Sequence, residues 1–149
     1  MMIREALISD LDDILEWRND AFSLSMFLTN DRVCKDQHIN WFKKTLTDPK
    51  KKIYIGILSA NKVGVCRFDY KSSTNSAEIS INLNPSMRNK KLAFSLLDNA
   101  IKEYRAKKNC ILTATIKKIN KRSISIFENC GFYLTKVDEE ICFYRKEVN

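Results

Sequence analysis

At Pro85 the apolar period of the chain changes from two to nearly four, and that switch restricts the fold more than any other feature. From Ala77 to Leu83, the residues Ile79, Ile81 and Leu83 alternate with Glu78, Ser80 and Asn82, which gives a strand one apolar face and one wholly polar face. Beyond Pro85, Leu92, Ala93, Leu96, Leu97, Ala100, Ile101 and Tyr104 share one broad helix face. Cys110 to Ile116, rich in Ile and Thr, then reads as another strand. Strand, helix and strand in this order form a crossover unit, right-handed if its strands are parallel neighbours.

The flanking segments fit an α+β sheet around that unit. Ile3 to Leu7 predicts a first strand, and Ser9 with Asp12 predicts a capping box opening a helix that turns Leu11, Ile14 and Leu15 inward. A second helix is expected from about Asp36 to Leu46, with Ile39, Phe42 and Leu46 on one face. Ile53 to Leu58 and Val63 to Tyr70, joined by the turn from Ser59 to Lys62, form an antiparallel meander with Ala77 to Leu83. A helix from Lys121 to about Cys130 closes at Gly131, where a residue tolerant of positive φ is needed. Tyr133 to Val137 and Ile141 to Arg145 predict a final hairpin. At 149 residues, the chain suits a single domain spanning residues 1–149.

Apolar runs are only a few residues long, against the ~20 of a membrane span, and the N-terminus turns charged at once. A cytoplasmic protein without membrane insertion is expected. The odd number of cysteines (Cys34, Cys66, Cys110, Cys130, Cys142), without a CxxC pair, suggests reduced core thiols. With a single histidine, no zinc-ligand spacing can be assembled, and no metal is expected.

The formal net charge of +8 favours polyanions: nucleic acid, an acidic membrane surface or a phosphate-bearing small molecule. Seven of the 26 Lys and Arg residues lie in two strand-to-helix turns, Arg88, Lys90 and Lys91 in one and Lys117, Lys118, Lys121 and Arg122 in the other. The first turn precedes a helix N-terminus, whose free N–H groups and dipole suit a pyrophosphate, although a solvated charged rim has the same composition. The basic turns lack interleaved aromatics and no helix carries a continuous basic stripe, so no nucleic acid is expected. The polar strand face either meets water or lines a cleft in which Glu78 takes a proton.

Two segments then carry a family resemblance. Arg88-Asn89-Lys90-Lys91-Leu92-Ala93 resembles the R/Q-x-x-G-x-G/A loop of the GNAT superfamily of N-acetyltransferases, and Asn120 to Phe132 resembles its N-x-x-S-x-x-x-(F/Y)-E-x-x-G-F segment. Ile3-Arg4, Asp10 to Asp13, Trp17-Arg18-Asn19, His38 to Phe42 and Val63-Gly64-Val65 resemble the branch of ribosomal-protein N-terminal and bacterial amino-sugar acetyltransferases, including those of pseudaminic acid pathways. The resemblance implies a mixed central sheet of about seven strands flanked by about four helices. It further implies acetyl-CoA as cofactor, held by Leu83, Arg88, Asn89, Lys90, Lys91, Leu92, Ala93, Asn120, Ser123 and Phe127, with Glu78 as base and Ser123 near the leaving sulfur. On the acceptor side it implies Arg18, His38, Trp41, Glu78 and Ser80. Asn120 equally suits a helix N-cap, Phe127 a core position, and His38 a capping or surface residue.

Two positions depart from the family pattern. Lys91 replaces a loop glycine, and Phe127 replaces the tyrosine that in many members protonates the departing thiolate. A thiol of pKa ~8.5 leaves unprotonated at neutral pH at a penalty of roughly 2 kcal/mol, which water or a hydroxyl can offset. Deprotonating an α-amine or sugar amine takes about one pK unit, whereas lysine takes about 3.4, which argues against lysine acceptors. The expected acceptor is the amine of a nucleotide-linked amino sugar. A protein N-terminal α-amine is the alternative, and a catalytically weak CoA- or partner-binding domain is the alternative of another class. Self-association as a homodimer is left open.

Overall fold

The computed structural model describes residues 1–28 and 31–149. Its elements are β1 (Met2–Glu5), α1 (Leu11–Arg18), α2 (Ala21–Met26), α3 (Lys35–Thr47), β2 (Lys51–Leu58), β3 (Asn61–Lys71), β4 (Ser76–Leu83), α4 (Ala93–Lys107), β5 (Ile111–Lys117), α5 (Lys121–Asn129), β6 (Tyr133–Val137) and β7 (Ile141–Lys146). The strands form one seven-stranded sheet in the order β1-β2-β3-β4-β5-β7-β6. Among the described residues only β4 and β5 run parallel, which is what a strand-helix-strand crossover through α4 requires. The final hairpin enters with β7 against β5, leaving β6 as an edge whose five residues are all exposed.

Alternation on the strands divides the core in two. Cys66, Phe68, Ala77, Ile79, Leu112, Ala114 and Ile116 pack beneath α4 and α5, and Phe68 stacks on Tyr104 of α4 with ring centroids 4.2 Å apart. Ile53 and Ile55 on the other face meet Ile14 and Trp17 of α1 and Phe42 of α3. Gly64 on β3 has no room for a side chain, because a Cβ there would lie 2.6 Å from the Asn82 carbonyl oxygen. Gly131 ends α5 at φ 90°, as the helix C-terminus requires.

The sheet of about seven strands flanked by about four helices is borne out, with five α-helices among the described residues; one not foreseen is α2, six residues long and capped by Asp20, whose carboxylate accepts from the Ser23 N–H at 3.1 Å. Several sequence expectations are corrected. Ser9 is exposed and caps nothing; its neighbour Asp10 accepts from the Leu7 N–H at 2.8 Å, and α1 begins one residue later. Leu46 is exposed, because α3 turns His38, Phe42 and Thr45 inward, and Thr45 returns its hydroxyl to the Trp41 carbonyl at 2.8 Å. Cys34 is exposed, whereas the other four cysteines are buried and free. Burial pushes the Cys66 and Cys130 thiols up, so both stay un-ionised. Among the described residues no helix is long and apolar enough to cross a membrane.

Asp10 is fully buried and is held by Arg4, Lys62 and the Leu7 amide. Arg4 grips it with Nη1 2.7 Å from Oδ2 and Nη2 3.0 Å from Oδ1, and Lys62 Nζ lies 2.7 Å from Oδ1. These contacts tie β1 and β3 to the start of α1. Burial alone would raise the Asp10 pKa, but the Arg4, Leu7 and Lys62 contacts together hold it well below the usual carboxylate range. A depressed folded pKa contributes stability that is present above the unfolded value of ~3.9 and is lost as pH falls below it. Asp10→Asn should therefore destabilise the fold by about 3 kcal/mol in urea denaturation at pH 7. The variant should also show a shallower loss of stability than the parent between pH 4 and lower pH.

Candidate active site

The sheet opens at the strand that sequence alone marks as two-faced. Pairing between β4 and β5 covers only Ser76 to Glu78 against Ile111 to Thr113, although β4 continues to Leu83 and β5 to Lys117. Beyond Glu78 the two strands form a fork. Glu78 lies in its crotch, where the Thr115 hydroxyl donates to Glu78 Oε1 at 2.8 Å. The Asn84 N–H donates to Val63 on the β3 side, and the Asn75 carbonyl accepts from Ile111 on the β5 side. Alternation then directs the backbone groups of Ile79, Ile81 and Leu83 into the fork and turns those of Asn82 toward β3. The Leu83 amide therefore faces the opening, and that of Asn82 does not.

Helix α2 straps the fork. The Ser23 hydroxyl donates to Asn82 Oδ1 on β4 at 2.9 Å, and Lys117 Nζ on β5 donates to the Ser25 carbonyl at 3.2 Å. Beneath the strap lies an open cleft of about 470 Å³ bounded by Phe22, Met26, Arg88, Asn89 and Ile119 to Arg122. Arg88 reaches it partly spoken for: Nη2 donates to Asp20 Oδ2 at 2.6 Å and to the Ser23 hydroxyl at 2.8 Å, and the guanidinium rides on the Phe22 ring at 4.9 Å. Lys90, Lys91, Lys121 and Arg122 are exposed on the two basic turns that flank the cleft. The loop before α4 holds Asn89 at φ 62° and Lys91 at φ 58°. Leu92 and Ala93 follow half-buried, and Leu92 packs against Val63, Met87 and Leu96 beside Leu83.

On the opposite turn, Asn120 caps α5 by accepting the Ser123 N–H at 3.3 Å. Its amide nitrogen makes no hydrogen bond among the described residues, and Ser123 is half-buried. Phe127 is only 2% exposed and packs edge-on against Phe132 with centroids 5.0 Å apart, so its ring belongs to the core.

The acceptor-side residues separate into two groups. Ser80 is exposed on the polar face of β4, opposite Arg67 of β3, while Asp69 stands opposite Glu78. Arg18, at the end of α1, and Trp41, on α3, reach this region, with the Arg67 guanidinium 5.4 Å from the Trp41 ring. His38 does not reach it: the ring is buried against Trp41 and Phe42, and Nε2 donates to the Leu11 carbonyl at 3.1 Å. Burial lowers the His38 pKa and keeps the ring neutral. The surface position expected for it is thus replaced by a structural one joining α3 to α1. Sequence reasoning missed Thr115, Arg67, Asp69 and Ser23. Thr113 and Thr115 do alternate on β5 as the polar residues do on β4, and this was the available signal.

Residues 1–133 match the acetyltransferase (GNAT) domain family, and the chain belongs to it. It is thereby an N-acetyltransferase of the acetyl-CoA-dependent GNAT type. No curated protein matches the chain. Among solved structures it is similar to an N-acetyltransferase from Staphylococcus aureus Mu50, 26% identical with a TM-score of 0.81, covering 98% of this chain and 97% of that one. It is also similar to the spermidine N-acetyltransferase of Vibrio cholerae in complex with CoA and spermine, 17% identical with a TM-score of 0.87, covering 98% and 94%. The ribosomal-protein-alanine N-acetyltransferase of Brucella melitensis matches at 22% identity and a TM-score of 0.82, covering 99% of each chain.

The residues present fit this cofactor. The fork leaves strand backbone unpaired for an extended arm, and the basic turns stand at its mouth where phosphates need cations. The left-handed backbone at Lys91 costs a non-glycine residue about 1 kcal/mol. Lys91→Gly should raise the melting temperature while weakening acetyl-CoA binding severalfold in calorimetry, because the same change relieves the backbone and removes a cation.

Proposed function

We propose that the chain transfers the acetyl group of acetyl-CoA directly to a primary amine in a ternary complex, the acceptor being the amino group of a nucleotide-linked amino sugar. The observation that carries this reading is Glu78 at the crotch of the fork, hydrogen-bonded to Thr115 on the one strand that diverges from its own. When bound, acetyl-CoA supplies an activated thioester. Glu78, directly or through one water, takes the proton of the attacking amine, and Thr115 fixes the orientation of the carboxylate. The Leu83 N–H is the backbone donor available to the oxygen that gains charge during attack. Ser123, at the first turn of α5, is the hydroxyl assigned to the departing sulfur, since Phe127 has none to offer.

The net charge of +8 suits a second pyrophosphate besides that of the cofactor, which is the reason for preferring a sugar nucleotide. A protein N-terminal α-amine has a similarly low deprotonation penalty and is the second reading, supported by the weak acid-base equipment that it shares with the first.

Glu78→Gln should lower kcat by about 10²-fold while leaving acetyl-CoA affinity within twofold, measured by steady-state assay and calorimetric titration with CoA and ADP as comparators. An unchanged kcat would remove Glu78 as the base. Failure of the parent protein to bind acetyl-CoA at millimolar concentration would favour a partner-binding domain instead.

A further inference from the structure

Arg18 and Arg67 lie close enough to feel each other's charge, and one of the two has no direct partner. Arg18 makes no ion pair and no hydrogen bond among the described residues, and its Nη1 is completely buried without a partner. What holds it is the Phe27 ring, 4.1 Å from the guanidinium carbon. Arg67 lies against the Trp41 ring at 5.4 Å and forms an ion pair with Asp69, Nε to Oδ2 at 3.2 Å. That pair is made without a hydrogen bond, since Arg67 Nε and Asp69 Oδ1 are both buried and unbonded. The remaining carboxylate on this face, Glu78, is occupied by Thr115.

Arg18 therefore lacks a direct counter-ion, although the formal charges of Arg18, Arg67, Asp69 and Glu78 sum to zero. Burial and the nearby positive charge of Arg67 both lower its pKa, which is the electrostatic signature of a cation without a counter-ion. Folded proteins rarely leave buried donors unpaired, and a guanidinium stacked on an aromatic ring is preorganised to present its fork to an oxyanion. We propose that Arg18, backed by Arg67, binds a phosphate carried by the acceptor molecule and so selects phosphorylated amines over cationic ones. This rests on the reading of the Glu78 face as the acceptor side. Its consequence is that a polyamine, the ligand of the Vibrio cholerae structure, meets the unpaired Arg18 guanidinium here and is disfavoured.

The test uses acceptors that share an amine and differ in phosphate: UDP-glucosamine and glucosamine 6-phosphate against glucosamine, with spermidine as the cationic control. The parent should favour the phosphorylated acceptors over glucosamine by at least tenfold in kcat/KM. Arg18→Leu should collapse that ratio through KM, and Arg18→Lys should recover part of it. In parallel, UDP is titrated calorimetrically into protein saturated with CoA. Binding should weaken at least tenfold in Arg18→Leu, whose melting temperature should not fall, because an unpaired charge has been removed. Equal UDP affinity in parent and variant, no UDP binding to the parent, or a preference for spermidine would each overturn the proposal. Binding of UDP through Arg18 without turnover of any amine would instead overturn the acetyl-transfer reading and leave the phosphate site standing.

Discussion

Parallel pairing that stops after three residue pairs is the constraint on which the rest of the molecule depends. A strand ladder satisfies its own backbone, so where β4 and β5 part, the groups of Ile79, Ile81 and Leu83 on the fork side need another partner. The chain does not fill the gap with a further strand. It places a hydroxyl–carboxylate bond between Thr115 and Glu78 at the point of divergence and a short helix across the opening. The carboxylate proposed as base and the opening proposed for the cofactor thus arise from a single irregularity in an otherwise continuous sheet.

The two faces of that sheet are stabilised by different physics. Beneath α4 and α5 the packing is apolar and aromatic, with Phe68, Tyr104, Phe127 and Phe132 contributing large buried rings. On the other side, the buried carboxylate of Asp10 gathers Arg4, Lys62 and the Leu7 amide, and His38 clasps α3 to α1. Polar clasps of this kind fix relative orientation more than they add stability, and orientation is what the residues at the end of α1 require.

Most of the sheet was legible in the sequence because its periods are unambiguous. The change at Pro85 defined β4, α4 and β5 together, and Gly131 marked the end of α5. Helix α2 was not legible, since six residues span fewer than two turns and cannot display a stripe; its one signal is the Asp20 cap. Glu78 could be singled out from strand alternation alone, but its partner Thr115 depends on how two strands 37 residues apart are registered. Arg88 was legible as a basic residue in a phosphate-like turn, whereas its pairing with Asp20 spans 68 residues and belongs to tertiary structure. The unpaired state of Arg18 is likewise a property of packing, since nothing in a sequence distinguishes an arginine with a counter-ion from one without.

The contact between Arg88 and Asp20 sets up a thermodynamic exchange. Asp20 holds two partners at once, the guanidinium of Arg88 and the Ser23 amide in the first turn of α2, and the Ser23 hydroxyl adds both a bond to Arg88 and the bond to Asn82. A phosphate that draws Arg88 toward the cleft competes with a carboxylate for the same donors. Whatever free energy ties the strap to the turn is subtracted from the affinity for that phosphate, and by reciprocity the phosphate loosens the strap by the same amount. The looseness of α2 and the affinity of the cleft are therefore one equilibrium observed from its two ends.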